Sequence, residues 1–131
     1  MTLVLDSEGL SRAVRRDRAV GVWLAAARDE DRPVITSAAV LVEVAHPAMN
    51  RSAFAWTLSR IEVEPVTRAV AMTASDLLAG AGLHGHKYAI DSMLCATALD
   101  RPGLVTILTS DTDDIDRLIA KAGRRVQVMR L

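Results

Sequence analysis

The chain has a single cysteine, Cys95. That excludes an internal disulfide and a cysteine-based zinc cluster, and its setting in Met93-Leu94-Cys95-Ala96 reads as a small buried hydrophobe rather than a nucleophile. Net charge is lacking as well, since 16 basic residues balance 16 acidic ones. No global field draws this protein onto nucleic acid, and any such binding must come from local patches. No apolar run approaches the ~20 residues needed to span a bilayer, and Met1-Thr2-Leu3-Val4-Leu5-Asp6 has neither the basic region nor the long apolar stretch of a signal peptide. The expected setting is the cytoplasm, with no membrane contact. The three histidines, His46, His84 and His86, lack zinc-ligand spacing with a third partner.

What is present is a chain of 131 residues, half of them apolar, long enough for a single domain over residues 1–131 with its own core. Short aliphatic runs alternate with helical periodicity along it. Strands are expected at Thr2 to Leu5, Pro33 to Thr36, Ile61 to Glu64, Leu104 to Thr109 and Val126 to Met129. Between them lie helical patterns over Glu8 to Arg16, Arg18 to Arg28, Ala38 to Ala45, Arg51 to Arg60, Thr67 to Ala79, Ile90 to Leu99 and Asp113 to Ala122. Ser37 and Asn50 stand as N-caps, Gly80 and Gly82 end a helix, Gly123 caps the last one, and Gly82 to Tyr88 reads as a loop. Because at least one helix separates every two successive strands, the connections must be crossovers and the sheet parallel. The expected fold is α/β, a three-layer α/β/α sandwich around a parallel sheet of about five strands.

Four acids stand where so apolar a chain should least favour them: Asp6 after the first strand, Glu43 inside an aliphatic helix, Asp91 opening another, and Asp111 after the fourth strand. A carboxylate taken out of water costs several kcal/mol unless something compensates it. Singly, each has an ordinary alternative. Asp6 serves equally as a helix cap, Asp91 as an N-cap or dipole partner, and Asp111 with Asp114 as a capping arrangement. Glu43 is harder to dismiss, since aliphatic neighbours on both sides would carry it inward. One arrangement explains all four at once: ligands in open parallel sheets bind beyond the carboxyl ends of strands, where strand order reverses. Oxygen donors of this kind suit Mg²⁺ or Mn²⁺. The densest basic cluster, Arg12, Arg15, Arg16 and Arg18, reads alone as a solvated helix end or as a phosphate track, to which the guanidinium fork is suited.

These residues resemble the PIN-domain ribonucleases, and within them the VapC-type toxins of bacterial toxin–antitoxin modules. The resemblance rests on Val4-Leu5-Asp6-Ser7, on Ser37 to Glu43, on Ile90 to Leu99 beginning Ile90-Asp91-Ser92, and on Ile107-Leu108-Thr109-Ser110-Asp111, in that order along the whole chain. It implies that Asp6, Glu43, Asp91 and Asp111 are the catalytic, metal-binding acids, that Ser7 and Thr109 support them, and that Asp113 matches an additional acid of some members. It further implies a Mg²⁺- or Mn²⁺-dependent endoribonuclease acting on RNA, commonly structured RNA such as tRNA. A VapB-type antitoxin would wrap the toxin, and the toxin would form a homodimer. Arg12, Arg15 and Arg16 are the expected RNA contacts. Trp23, Phe54 and Trp56 read either as core or as a partner surface.

Three rivals share parts of this pattern. A haloacid-dehalogenase-type phosphatase needs a second Asp two residues after the first, where Asp6-Ser7-Glu8 has Glu. A receiver-type phosphoacceptor needs an Asp after strand three and a Lys after the last, and neither is there. A PIN-like binding domain that does not cut has no need of the intact acid set.

Overall fold

A computed structural model describes residues 1–121 and 125–131. Five parallel strands form one sheet: β1 (Thr2–Leu5), β2 (Val34–Ser37), β3 (Glu62–Glu64), β4 (Val105–Thr109) and β5 (Val126–Arg130), in the order β3-β2-β1-β4-β5. Around it lie α1 (Ser7–Val14), α2 (Arg18–Asp29), α3 (Ala38–Val44), α4 (Arg51–Leu58), α5 (Arg68–Ala81), α6 (Gly85–Leu99) and α7 (Thr112–Ile119). This is the expected α/β sandwich. Successive side chains of a strand point to opposite faces, which divides the core in two. Leu3, Leu5 and Leu108 pack with Val20 and Ala27 of α2, whereas Val4, Val105 and Ile107 pack with Val40 of α3, Leu94 and Ala98 of α6 and Ile115 of α7.

The chain turns at one point. β1 pairs with β2 on one side and with β4 on the other, in the register Leu5 opposite Leu108. Strand order reverses there, so the loops leaving β1 and β4 diverge and open a crevice. A receiver-type order would set β1 beside β3 instead. The carboxyl end of β1 is pinned from both sides: Asp6 N donates to Leu108 O at 3.2 Å, and the buried Thr36 hydroxyl donates to Leu5 O at 2.7 Å.

Helix ends follow local chemistry. Ser37 accepts from Ala39 N and Asn50 from Ala53 N, as N-caps should. Gly82 takes φ 66, the left-handed geometry that closes α5, while Gly80 lies inside that helix. One expectation fails. Residues 82–88 are not all loop, because α6 begins at Gly85 and passes through Tyr88 at φ −112, ψ 15, a kink that joins a first turn to the apolar run. Asp91 therefore lies beyond the kink rather than in the helix's first turn, and an N-cap role is excluded. For the last helix, the expected end at Ala122 and the Gly123 cap lie outside the described residues.

Replacing Thr36 with Val keeps the shape and removes the bond to Leu5 O, leaving a buried carbonyl short of a donor. Urea unfolding of the metal-free protein should register a loss of about 1–2 kcal/mol.

Candidate functional site

A cavity of about 370 Å³ opens above the carboxyl ends of β1 and β4, lined by Asp6, Ser7, Glu8, Ser11, Glu43, Val44, His46, Asp91, Ser110 and Asp111. Three helices, α1, α3 and α6, and the turns after β1 and β4 supply its acids. The four that the sequence singled out, at residues 6, 43, 91 and 111, all face this one space.

Asp6 plays two parts. It caps α1, its Oδ1 accepting from Gly9 N at 2.7 Å, and it also lines the cavity. Burial pushes its carboxyl up, hydrogen bonds from Thr109 and Gly9 pull it down, and the charges of Glu8 and Glu43 push it up again. A Cβ at Gly9 would stand 3.4 Å from Asp6 Oδ1 and from Leu108 O, an ordinary contact distance, so the cap does not require glycine there. Asp91 is raised further, from the ordinary 3.8 to about 6, first by burial and then by the charges of Glu43, Asp6, Asp111 and Asp114. That list of charges is itself a measure of geometry. The four acids repel one another through a shared, partly desolvated space.

Glu43 departs from its expected setting. It is exposed, and its neighbour Val42 is 77% exposed, so α3 does not bury all its faces and Glu43 reaches the cavity from solvent. Asp111 caps α7, accepting from Asp114 N at 3.4 Å, and its own amide donates to the buried Thr109 hydroxyl at 2.9 Å. Thr109 thus touches both strand-end acids. Ser7 also lines the cavity, and its Oγ is buried with no partner among the described residues. Asp113 is exposed and is not among the lining residues, whereas the neighbouring Asp114 is the acid of α7 whose charge acts on Asp91.

Glu8, Ser11, His46 and Ser110 complete the wall without having been anticipated. Ser7, Glu8 and Ser11 form the polar face of an otherwise apolar α1, and that face was the available signal. His46 ends the segment after α3, just before Pro47. Glu8 differs from the four central acids in being neutralised, with Oε1 2.9 Å from Arg12 Nε and 3.6 Å from Arg15 Nη2. Arg12 is thereby committed to its own helix. Arg16 turns instead to Trp56, and the three arginines do not form one patch.

The donor set fits a hard divalent cation. Among the described residues neither Asp6 nor Asp91 forms an ion pair, and Ser7 offers a further unpaired oxygen. No three His, Cys, Asp or Glu side chains among those residues converge closely enough to enclose an ion as they stand. Mg²⁺ needs no such cage, because it binds through one or two carboxylates and keeps several waters.

The residues 3–121 match the family model of the PIN domain. The chain belongs to the PIN domain family. PIN domains are generally nucleases. Solved structures agree in fold across the full length of this PIN domain. VapBC2 from Rickettsia felis, bound to a DNA fragment from their promoter, is similar at 17% identity and a TM-score of 0.68, over 100% of this chain and 99% of that one. FitAcB from Neisseria gonorrhoeae is similar at 21% identity and a TM-score of 0.68, over 97% and 96%. No curated protein sequence matches. Among the described residues no helix is long and apolar enough to cross a membrane.

The raised Asp91 carboxyl has a consequence for stability. Its folded value lies above its unfolded one, so the folded state binds the proton more tightly between the two. Metal-free protein should lose stability as pH rises from about 4 to about 6 and level off beyond. Asp91→Asn should flatten that profile and leave the metal-free protein more stable above pH 6, as read by thermal melts across pH in chelator.

Proposed function

We propose that this PIN domain is a Mg²⁺- or Mn²⁺-dependent endoribonuclease and the toxin of a toxin–antitoxin module. The observation that carries the chemistry is the convergence of Asp6, Glu43, Asp91 and Asp111 on one open cavity, where their charges act on one another and no cation among the described residues pairs with Asp6 or Asp91. Asp6 and Asp91, the more enclosed acids, would be the principal ligands of the ion, with Glu43 and Asp111 as further donors. A bound divalent ion supplies an acidified water and a positive charge opposite the scissile phosphate.

The chain's own residues do the rest. Thr109 bonds to Asp6 and to the Asp111 amide, holding the two strand ends in register with each other. Ser7 would accept from the ion's water shell or donate its hydroxyl to a phosphate oxygen. Arg130 donates to Ser110 O at 3.1 Å and to Thr112 Oγ1 at 2.7 Å, bracing the loop that carries Asp111. With zero net charge, RNA affinity rests on local cations, of which Arg15 and Arg16 keep solvent-facing donors while Arg12 is held by Glu8. Asp113 remains a candidate acid at the outer rim.

The toxin assignment rests on the resemblance to VapC-type proteins and on likeness in fold to VapBC2 and FitAcB. A partner arginine entering the acidic cavity would find bidentate carboxylate partners and displace the ion, which gives a VapB-type antitoxin a physical means of inhibition. A homodimer and a cytoplasmic setting belong to the same reading.

Purified protein incubated with total bacterial RNA should yield fragments in Mn²⁺ or Mg²⁺ and none in chelator. Asp6→Asn and Asp91→Asn should each lower cleavage by at least about a hundredfold while staying folded, because even partners behind a metal ligand cost 10–100-fold. Expression alone should arrest bacterial growth, and coexpression of the adjacent small gene should relieve it. Harmless high-level expression together with no RNA cleavage in Mn²⁺ overturns the assignment.

A further inference from the structure

On the outer side of α1 and α4, Trp56 is 52% exposed and carries two arginines. The guanidinium of Arg60 lies 4.9 Å from the indole centroid and that of Arg16 lies 5.6 Å from it. Both distances fall within cation–π range. The other two large aromatics are used differently, Trp23 packing against the α2 side of the core and Phe54 against the opposite side. Trp56 alone of the three faces solvent.

Three observations make this more than a stray surface tryptophan. Among the described residues, neither Arg16 nor Arg60 has a carboxylate within ion-pair distance or a side-chain hydrogen bond, so their planar donor edges are unspent. Arg16 also sits at φ 58, a left-handed position that glycine would occupy without strain. That turn lifts Arg16 off the end of α1, beside Trp56. Finally, the route back to the acidic cavity is continuous along α1: Ser11 lines the cavity, Arg15 Nη1 donates to Ser11 Oγ at 3.2 Å, and Arg16 follows Arg15. Arg16 stands five positions beyond Ser11, a span of roughly 8 Å at 1.5 Å per helical residue.

We propose that Trp56 holds Arg16 and Arg60 as an anchor for the phosphate backbone of a single RNA strand, a few nucleotides away from the strand position in the acidic cavity. This rests on the ribonuclease reading and adds to it a second point of contact. Stacking on one indole fixes two guanidiniums in advance, so less side-chain freedom is lost when each meets a phosphate oxygen. The acidic cavity repels an RNA strand until cations hold it nearby, which gives the anchor its place in binding. A polyanion is the partner these two unspent cations fit.

The test is fluorescence anisotropy with a labelled mixed-sequence RNA dodecamer, in chelator so that cleavage plays no part. Arg16→Gly, Arg60→Ala and Trp56→Ala are compared with wild type and with Arg68→Ala on the distant α5. Each of the two arginine variants should weaken binding roughly three- to tenfold at about 50 mM salt and lower the slope of log affinity against log salt by about 0.7. Arg16→Gly relieves the left-handed strain, so its melting temperature should not fall, which separates lost contact from lost fold. Trp56→Ala leaves both cations in place but no longer pre-ordered, so it should weaken binding with a smaller change of slope than the two arginine changes together, whereas Trp56→Phe should retain most of the affinity. Wild-type cleavage in Mn²⁺ combined with unchanged slopes in all three variants overturns the anchor and leaves the nuclease standing. Normal RNA slopes with lost binding to the coexpressed antitoxin also overturn it, and make the patch a protein-docking surface.

Discussion

The candidate site depends on the parallel pairing of β1 with β4. Through it, two carboxylates separated by most of the chain, Asp6 and Asp111, emerge from neighbouring strands at the same edge of the sheet. The pairing is stabilised on both faces by aliphatic packing and at its end by the bonds Asp6 N to Leu108 O and Thr36 Oγ1 to Leu5 O. A slip of one residue would turn every side chain of a strand to the opposite face. The core and the cavity are thus one constraint seen from two sides.

Around that edge the protein tolerates unfavourable electrostatics that its interior would not. Asp6 and Asp91 are partly desolvated, mutually repelling and unpaired among the described residues. Glu8, on the cavity wall and one and two turns from Arg12 and Arg15, is paired with both. The contrast is informative, because the chain is rich in arginine and yet none of the described arginines pairs with Asp6 or Asp91. Local cost retained in this way is common at sites whose charge is needed for a ligand.

Much of this was legible in the residues. Helices between all successive strands required a parallel sheet, and the aliphatic runs at Thr2 and Val105 marked the central strands. Asp6 and Asp111 read as strand-end acids because an acid directly after a buried run has few other places to go. Other features were not legible, for physical reasons. Gly85, with His84, His86 and Lys87 around it, carries loop chemistry, yet its backbone forms a helical turn ahead of the Tyr88 kink. Glu43 among aliphatics looked buried, and only the tertiary arrangement reveals a cavity that lets Val42 and Glu43 face outward. Arg12, Arg15 and Arg16 are adjacent in sequence, but helix geometry sends Arg12 to Glu8, while the turn at φ 58 sends Arg16 to Trp56.

The placement of β4 also governs when the site can exist. β1 is made first and finds β2 early, but its other edge stays open until residues 105–109 arrive. Chains emerge at about 5–20 residues per second, so for several seconds a growing chain carries Asp6, Glu43 and finally Asp91 without the strand that closes the crevice. The acids cannot act together on a half-made molecule. Late insertion of a central strand therefore makes the assembled cavity one of the last features of the fold to appear.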